Sequence, residues 1–231
     1  MREREAEGKN LYQLRLAKEQ SIPETDIQAR MRWDLPIISE NMKCSISLDL
    51  PILNCKPTEA CGEVCYACQG RQFYRRAVVK SVAVNRLIAE DPEHVAQKMV
   101  DEASGRVIRL AGSGELLPTQ KTLVDYLEKL GGSWWGFTRR VDTHQALPAL
   151  MFSLDATTPT SVLKYVEENV PVSRRAYLVR PKDPAPSLEV AVTFPVHGAR
   201  TPSVKKVPVY STDCPAARKA VEGCWRCRRC Y

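Results

Sequence analysis

The chain lacks a long apolar run at its start, and this absence indicates where we expect the protein to act. It begins with alternating arginine and glutamate residues, and no apolar stretch follows them. A secretory signal needs an apolar segment of roughly 7–15 residues, and a membrane-spanning helix needs about 20. We therefore expect neither a signal peptide nor a contact with the membrane, and we expect the protein in the cytoplasm.

Histidine is also scarce, with three residues, whereas cysteine is abundant, with nine. We expect His144 and His197 to be surface or loop residues rather than catalytic bases. An odd cysteine count does not suit a framework of disulfides, and a reducing cytosol would keep such thiols free for metal. The composition therefore favours metal binding over disulfide formation.

Four of the cysteines lie in one short run. They are Cys55, Cys61, Cys65 and Cys68. The last three have three and then two residues between them, so one loop turns its thiolates toward a single metal centre. Thiolates favour zinc or an iron-sulfur cluster over hard cations. Zinc sites usually use pairs of C-x2-C, whereas this spacing supplies three ligands, which leaves one iron of a cubane open for catalysis.

The spacing Cys61-x3-Cys65-x2-Cys68 resembles the cluster motif of the radical S-adenosylmethionine (SAM) superfamily. In that superfamily the unligated iron binds the amino and carboxylate groups of SAM. An aromatic residue usually comes directly before the third cysteine; here Ala67 has that position and Tyr66 the one before it. The resemblance makes Tyr66 a candidate cofactor-binding residue.

The same run also resembles the Cys-x5-Cys-x3-Cys-Tyr-Ala signature of small phage and plasmid proteins related to the phage gene product 88 family. On that alignment the metal ligands are Cys55, Cys61 and Cys65. Cys55 is therefore an alternative to Cys68 as the third ligand, and the sequence leaves both sets open.

A second motif follows a predicted strand at residues 106–111 and reads Gly112-Ser113-Gly114-Glu115. Glycine lets the backbone approach a ligand closely, and a carboxylate receives an ammonium group. The motif resembles the Gly-Gly-Glu segment that follows the second barrel strand of radical SAM proteins and contacts the SAM amino group. The resemblance implies that these four residues bind SAM.

Strand-like and helical patterns alternate along the chain, which favours parallel strands joined by crossover helices. The predicted strands are residues 45–51, 106–111, 134–138, 149–155, 174–180 and 188–194, and the predicted helices are 5–32, interrupted before Pro23, then 72–90, 94–103, 119–130 and 159–169. Six strands in this order resemble the partial (β/α)6 barrel of the radical SAM superfamily. We expect an α/β fold with this TIM-type partial barrel at residues 43–200, an N-terminal helical extension at 1–42 and a cysteine-rich metal-binding tail at 201–231.

Functional side chains of such barrels collect at the C-terminal ends of the strands. On that rule we select Arg139, Ser153 and Asp155 as candidate catalytic residues that line a cavity. A salt bridge, a helix cap or a loop contact is the alternative role of each.

The tail contains Cys214, Cys224, Cys227 and Cys230, enough ligands to close a metal site completely. Their spacing resembles bacterial ferredoxin ligation and the auxiliary clusters that follow the barrel in radical SAM enzymes. A structural zinc ion on four cysteines is the alternative. The ninth cysteine, Cys44, is expected to be a buried thiol.

The resemblance implies an enzyme that uses a 4Fe-4S cluster and an electron donor to cleave SAM. The products are methionine and a 5'-deoxyadenosyl radical, which abstracts hydrogen from an unidentified substrate. Two other functions stay open: an iron-sulfur protein with a redox or structural role, and a nucleic-acid-binding metal protein of a mobile element. The basic cysteine-rich tail favours the latter, and the formal net charge of +7 permits it, although a solvated surface excess is the commoner explanation of such a charge.

Overall fold

The computed structural model describes residues 11–41, 45–63, 65–68, 74–180, 183–184 and 186–195. The predicted C-terminal metal site, with Cys214, Cys224, Cys227 and Cys230, lies outside these residues. Cys44 and His197 lie outside them as well.

A seven-stranded sheet forms the centre of the fold, with its strands in chain order. The strands are β1 (Ser39–Asn41), β2 (Ser45–Ser47), β3 (Ile108–Leu110), β4 (Trp134–Thr138), β5 (Met151–Leu154), β6 (Arg175–Val179) and β7 (Val192–Pro195). β1 pairs antiparallel with β2, and every later neighbouring pair is parallel. β1 and β7 are the two edges and do not pair with each other within the described residues, so the sheet is open.

Eight α-helices lie within the described part of the chain. They are α1 (Leu11–Gln20), α2 (Glu24–Arg30), α3 (Glu59–Glu63), α4 (Arg75–Glu90), α5 (Pro92–Ala103), α6 (Lys121–Lys129), α7 (Val141–Ala146) and α8 (Thr160–Asn169). Helices α4 to α8 connect successive parallel strands, and α1 and α2 pack against α4. No helix in these residues is both long and apolar enough to cross a lipid bilayer.

The apolar core lies between one face of the sheet and the crossover helices. Ile46 of β2 and Ile108 of β3 pack with side chains of α4, α5 and α6, and all of these are buried. Phe152 and Leu154 of β5 form a second cluster with α8. Because side chains alternate along a strand, Ser153 faces the opposite side of the sheet from Phe152 and Leu154.

The predicted α/β fold with parallel strands is confirmed. Five predicted strands contain an observed one, and the sixth, 188–194, overlaps β7, which extends one residue further to Pro195. The predicted helix at 5–32 is divided at Pro23 into α1 and α2, because proline begins the second helix without donating a backbone hydrogen bond. β1 has no predicted counterpart and lies in the segment that we assigned to the N-terminal extension.

The prediction that His144 is a surface or loop residue is wrong. His144 is 3% exposed and lies in α7. Its Nδ1 is 3.0 Å from the Tyr165 hydroxyl, and its ring packs edge-on against Phe152. The helix is six residues long, too short for its apolar face to be recognised from the sequence.

Candidate metal and cofactor site

The cysteine segment follows β2 and meets the carboxyl ends of the later parallel strands. Helix α3 contains Cys61, and a 3-10 turn spans Tyr66–Cys68. Residues that follow β5 and β6 contact α3, and so does α1. In α/β proteins, ligand-binding and catalytic sites usually lie at the carboxyl ends of the parallel strands.

Asp155 connects the end of β5 to α3. Its buried carboxylate pairs with Arg139, at 2.5 Å between Oδ2 and Nη1, and also accepts a hydrogen bond from the Thr58 hydroxyl. Oδ1 accepts from the amide and the hydroxyl of Thr157, both at 2.9 Å. Thr58 Oγ1 in turn accepts from the Cys61 amide at 3.2 Å. Asp155 therefore positions the start of the helix that contains Cys61.

The pKa of Asp155 reflects the same contacts. Burial opposes the charged carboxylate, but Arg139 and the hydrogen bonds from Thr58 and Thr157 outweigh it and hold the pKa below its ordinary value. The carboxylate is therefore ionised and fully engaged, as expected for a positioning residue.

Two further contacts fix α3 from the same edge of the sheet. The Ala60 amide donates to Thr157 Oγ1 at 2.9 Å. Glu63 Oε2 is 2.5 Å from Arg180 Nη1, and Arg180 Nε also pairs with Asp183 Oδ1 at 3.0 Å. Both ends of this short helix are thus attached to strand ends rather than to neighbouring turns.

The four thiols lie in one group. Burial raises the pKa of Cys55 and Cys61, and each pair among Cys55, Cys61 and Cys65 adds an electrostatic increase. Arg139 acts in the opposite direction on Cys61. The three thiols of the second ligand set therefore lie in one region of the fold.

Cys68 differs from the other three thiols. It donates to the Cys65 sulfur, which lowers the pKa of Cys65 to about 7 and raises that of Cys68. It is also buried in an apolar cluster with Tyr12, Ile52 and Ala67, whereas the other three thiols are partly exposed. Cys55 and Cys65 pack against the same cluster, so Cys68 differs from them in its degree of burial, and Cys61 is the thiol outside the cluster.

The donors suit a thiophilic metal, since four free thiols lie within one segment. In the residues that the structure describes, no group of three or more histidine, cysteine, aspartate or glutamate side chains is arranged to hold a metal ion.

Glu115 approaches the thiols from the end of β3. Its buried Oε1 accepts hydrogen bonds from the Thr138 hydroxyl at 2.5 Å, the Arg139 amide at 2.7 Å and the Arg140 amide at 3.2 Å. Burial raises the pKa of Glu115, and these bonds oppose the increase. Its charge in turn raises the pKa of Cys55. Oε2 accepts none of the hydrogen bonds formed among the described residues and is available to a ligand.

The glycine-rich loop continues the pairing of β2 with β3. The Gly112 amide donates to Leu48 O at 2.7 Å, and the Leu50 amide donates to Ser113 O at 2.9 Å. Gly114 has a φ of +68°, and a Cβ there would lie 2.3 Å from Leu50 O. The close approach that we predicted for a ligand is thus already made by the chain's own backbone at this glycine.

A set of buried amides, which sequence analysis did not identify, connects the two motifs. Asn54 Nδ2 donates to Glu115 O at 3.0 Å and to Asn85 Oδ1 at 2.9 Å, and Gln120 Nε2 donates to the same Asn85 oxygen at 3.0 Å. Arg140 Nη1 donates to Asn54 O at 3.1 Å. Isolated amides form no recognisable spacing, so their convergence is visible only in the fold.

The structure brings together some of the predicted site residues. One end of the sheet, at the carboxyl ends of its parallel strands, holds the four cysteines, Glu115, Arg139 and Asp155. Tyr66 begins the turn that ends at Cys68. Ser153 is half-buried on β5, and its hydroxyl forms no hydrogen bond among the described residues. Comparison of the chain with protein-family models, with curated proteins and with solved structures gave no match.

Proposed function

We propose that this protein is a radical SAM-type enzyme that holds a 4Fe-4S cluster on the cysteine segment and cleaves SAM. The observation that supports this most is the meeting of the two motifs. Asn54, directly before Cys55, donates to Glu115 O at 3.0 Å, and the charge of Glu115 raises the pKa of both Cys55 and Cys61. In this proposal β2 to β7 form the partial (β/α)6 barrel, and β1 is an added edge strand.

When bound, such a cluster would supply the electron for the reductive cleavage of SAM to methionine and a 5'-deoxyadenosyl radical. The residues of the chain hold and orient the reactants. Glu115 presents Oε2 to the ammonium group of SAM, while Thr138 and the Arg139 amide fix its other oxygen. Asp155 and Thr58 keep the Cys61 amide in place and thereby orient the ligand loop.

Of the two ligand sets, the structure favours Cys55, Cys61 and Cys65. All three are partly exposed, whereas Cys68 is buried in the apolar cluster against which Cys55 and Cys65 pack, and it donates to Cys65. On this reading, the Cys68→Ala variant keeps its iron and the Cys55→Ala variant loses it. The reverse result would assign the ligands to the three-then-two spacing.

The test of the function is anaerobic. The protein is reconstituted with iron and sulfide, iron and zinc are counted per chain, and SAM and dithionite are added to detect 5'-deoxyadenosine. We expect 5'-deoxyadenosine from the wild type and none from Cys61→Ala, because Cys61 belongs to both ligand sets. Cys44→Ala is the matched control, since Cys44 belongs to neither.

Glu115→Gln separates SAM binding from cluster binding. We expect equilibrium dialysis to show weaker binding of SAM at an unchanged iron content, because the neutral amide forms no ion pair with the ammonium group. A fully loaded wild type that produces no 5'-deoxyadenosine would instead favour a non-catalytic iron-sulfur protein. Zinc in place of iron, with nucleic-acid affinity that falls steeply with salt, would favour the nucleic-acid-binding function.

A further inference from the structure

Helix α1 is part of the cysteine site rather than a distant extension. It packs against α3, against the 3-10 turn Ile52–Asn54 and against the turn Tyr66–Cys68. Its Tyr12 hydroxyl donates to Ile52 O at 3.3 Å. The helix therefore contacts the cysteine segment before, within and after α3.

A buried carboxylate of α1 organises this contact. Glu19 Oε1 accepts from Arg15 Nε at 2.9 Å and from the Ile52 amide at 3.1 Å, and Oε2 accepts from the Leu53 amide at 3.0 Å. One side chain thus fixes the turn that leads to Cys55 and holds the guanidinium of Arg15 in place.

Arg15 is fully buried on the side of α1 that meets the thiols. Tyr12 and Leu16 share this face of α1 with Arg15, since residues three and four apart are neighbours on a helix, and both belong to the apolar cluster that contains Cys68 and packs against Cys55 and Cys65. The guanidinium is therefore close enough to act electrostatically on the segment that would hold the metal.

Packing alone does not account for this pair. Burying an arginine with a glutamate removes two charges from water, and apolar side chains of similar volume are often equally or more stabilising. A cation held beside a set of thiols has a distinct electrostatic effect, because a reduced metal centre carries one more negative charge than the oxidised one.

We propose that Arg15 raises the reduction potential of the cluster on the cysteine segment, with Glu19 holding it in position. This inference rests on the proposed cluster and adds the residue that tunes it. A buried positive charge stabilises the reduced state over the oxidised state, and the low local dielectric strengthens the effect.

The experiment measures the midpoint potential of the reconstituted full-length protein by a redox titration followed by EPR. We expect Arg15→Gln to lower the midpoint potential and Arg15→Lys, which keeps the charge, to remain closer to the wild type. Arg75→Gln is the matched control, because Arg75 forms an exposed ion pair with Asp26. It removes a positive charge away from the thiols and should leave the potential unchanged.

A second variant addresses folding. Arg15→Gln leaves Glu19 buried without its cation, so Arg15→Gln/Glu19→Gln removes both charges. We expect its potential to fall as well, because the charge of Glu19 is already engaged by the Ile52 and Leu53 amides. An unchanged potential in a fully loaded variant would overturn the role of Arg15 while leaving the cluster intact. A wild type that takes up no iron would overturn the cluster and this inference together.

Discussion

Asp155→Asn tests whether Asp155 positions the cysteine helix or acts in catalysis. Removing one partner of a buried ion pair costs about 3–5 kcal/mol. Arg139 is 14% exposed, which places the cost near the lower end, about 3 kcal/mol, and asparagine still accepts the hydrogen bonds from Thr157. For a chain of this size each kcal/mol shifts Tm by about 2–4 °C, so we expect a decrease of about 6–12 °C.

The assay follows thermal unfolding of the apoprotein by circular dichroism, together with iron uptake. We expect iron uptake to fall along with Tm, because α3 loses the contact that holds the Cys61 amide through Thr58. Asp142→Asn is the control: its side chain is 46% exposed beside Arg140, and such pairs contribute about 1 kcal/mol or less. A variant with wild-type Tm and full iron content that forms no 5'-deoxyadenosine would refute the positioning role.

Three further predictions concern single positions. Gly114→Ala should lower the free energy of unfolding in urea by about 3 kcal/mol, because its Cβ meets backbone carbonyls at positive φ, whereas Gly62→Ala in α3 meets nothing and should be neutral or stabilising. Asn54→Leu should lower Tm and weaken SAM binding together, and a change in neither would exclude the amide bridge to Glu115. Burial lowers the pKa of Lys80 to about 8, so between about pH 8 and 10.5 the unfolded chain binds more protons and the free energy of unfolding rises with pH. Lys80→Met should remove this rise, and an equal slope in variant and wild type would contradict it.

The strands were predictable because local composition determines them. β4 and β6 lie in apolar runs, and every predicted strand overlaps an observed one. β1 was not predictable in this way, because its three residues are polar and form a strand only by pairing with β2 at the edge of the sheet. A strand that forms because of its partner need not show the alternation of apolar and polar residues by which strands are recognised in a sequence.

The candidate site also has a part that the sequence predicts and a part that it does not. The donors Cys55 to Cys68 and Glu115 are visible as spaced motifs, whereas the side chains that position them are separated widely in the chain. Thr58 and Asp155 are 97 residues apart, and Asn54 and Glu115 are 61 apart. Contacts at such separations arise from the order of strands in the sheet, which the local sequence does not specify.

The position of the thiols therefore depends on the whole sheet rather than on the cysteine motif. A peptide of residues 55–68 contains all four thiols of the segment, but the groups that hold them come from α1 and from the segments that follow β3, β5 and β6. Glu19 binds the turn before Cys55, and the charge of Glu115 acts on Cys55. Asp155 holds the start of α3 through Thr58, and Arg180 pairs with Glu63 at its end. Loss of any one of them should change the geometry of the thiols without removing a donor. Such variants consequently distinguish a site built by the fold from a cysteine loop that binds metal by itself.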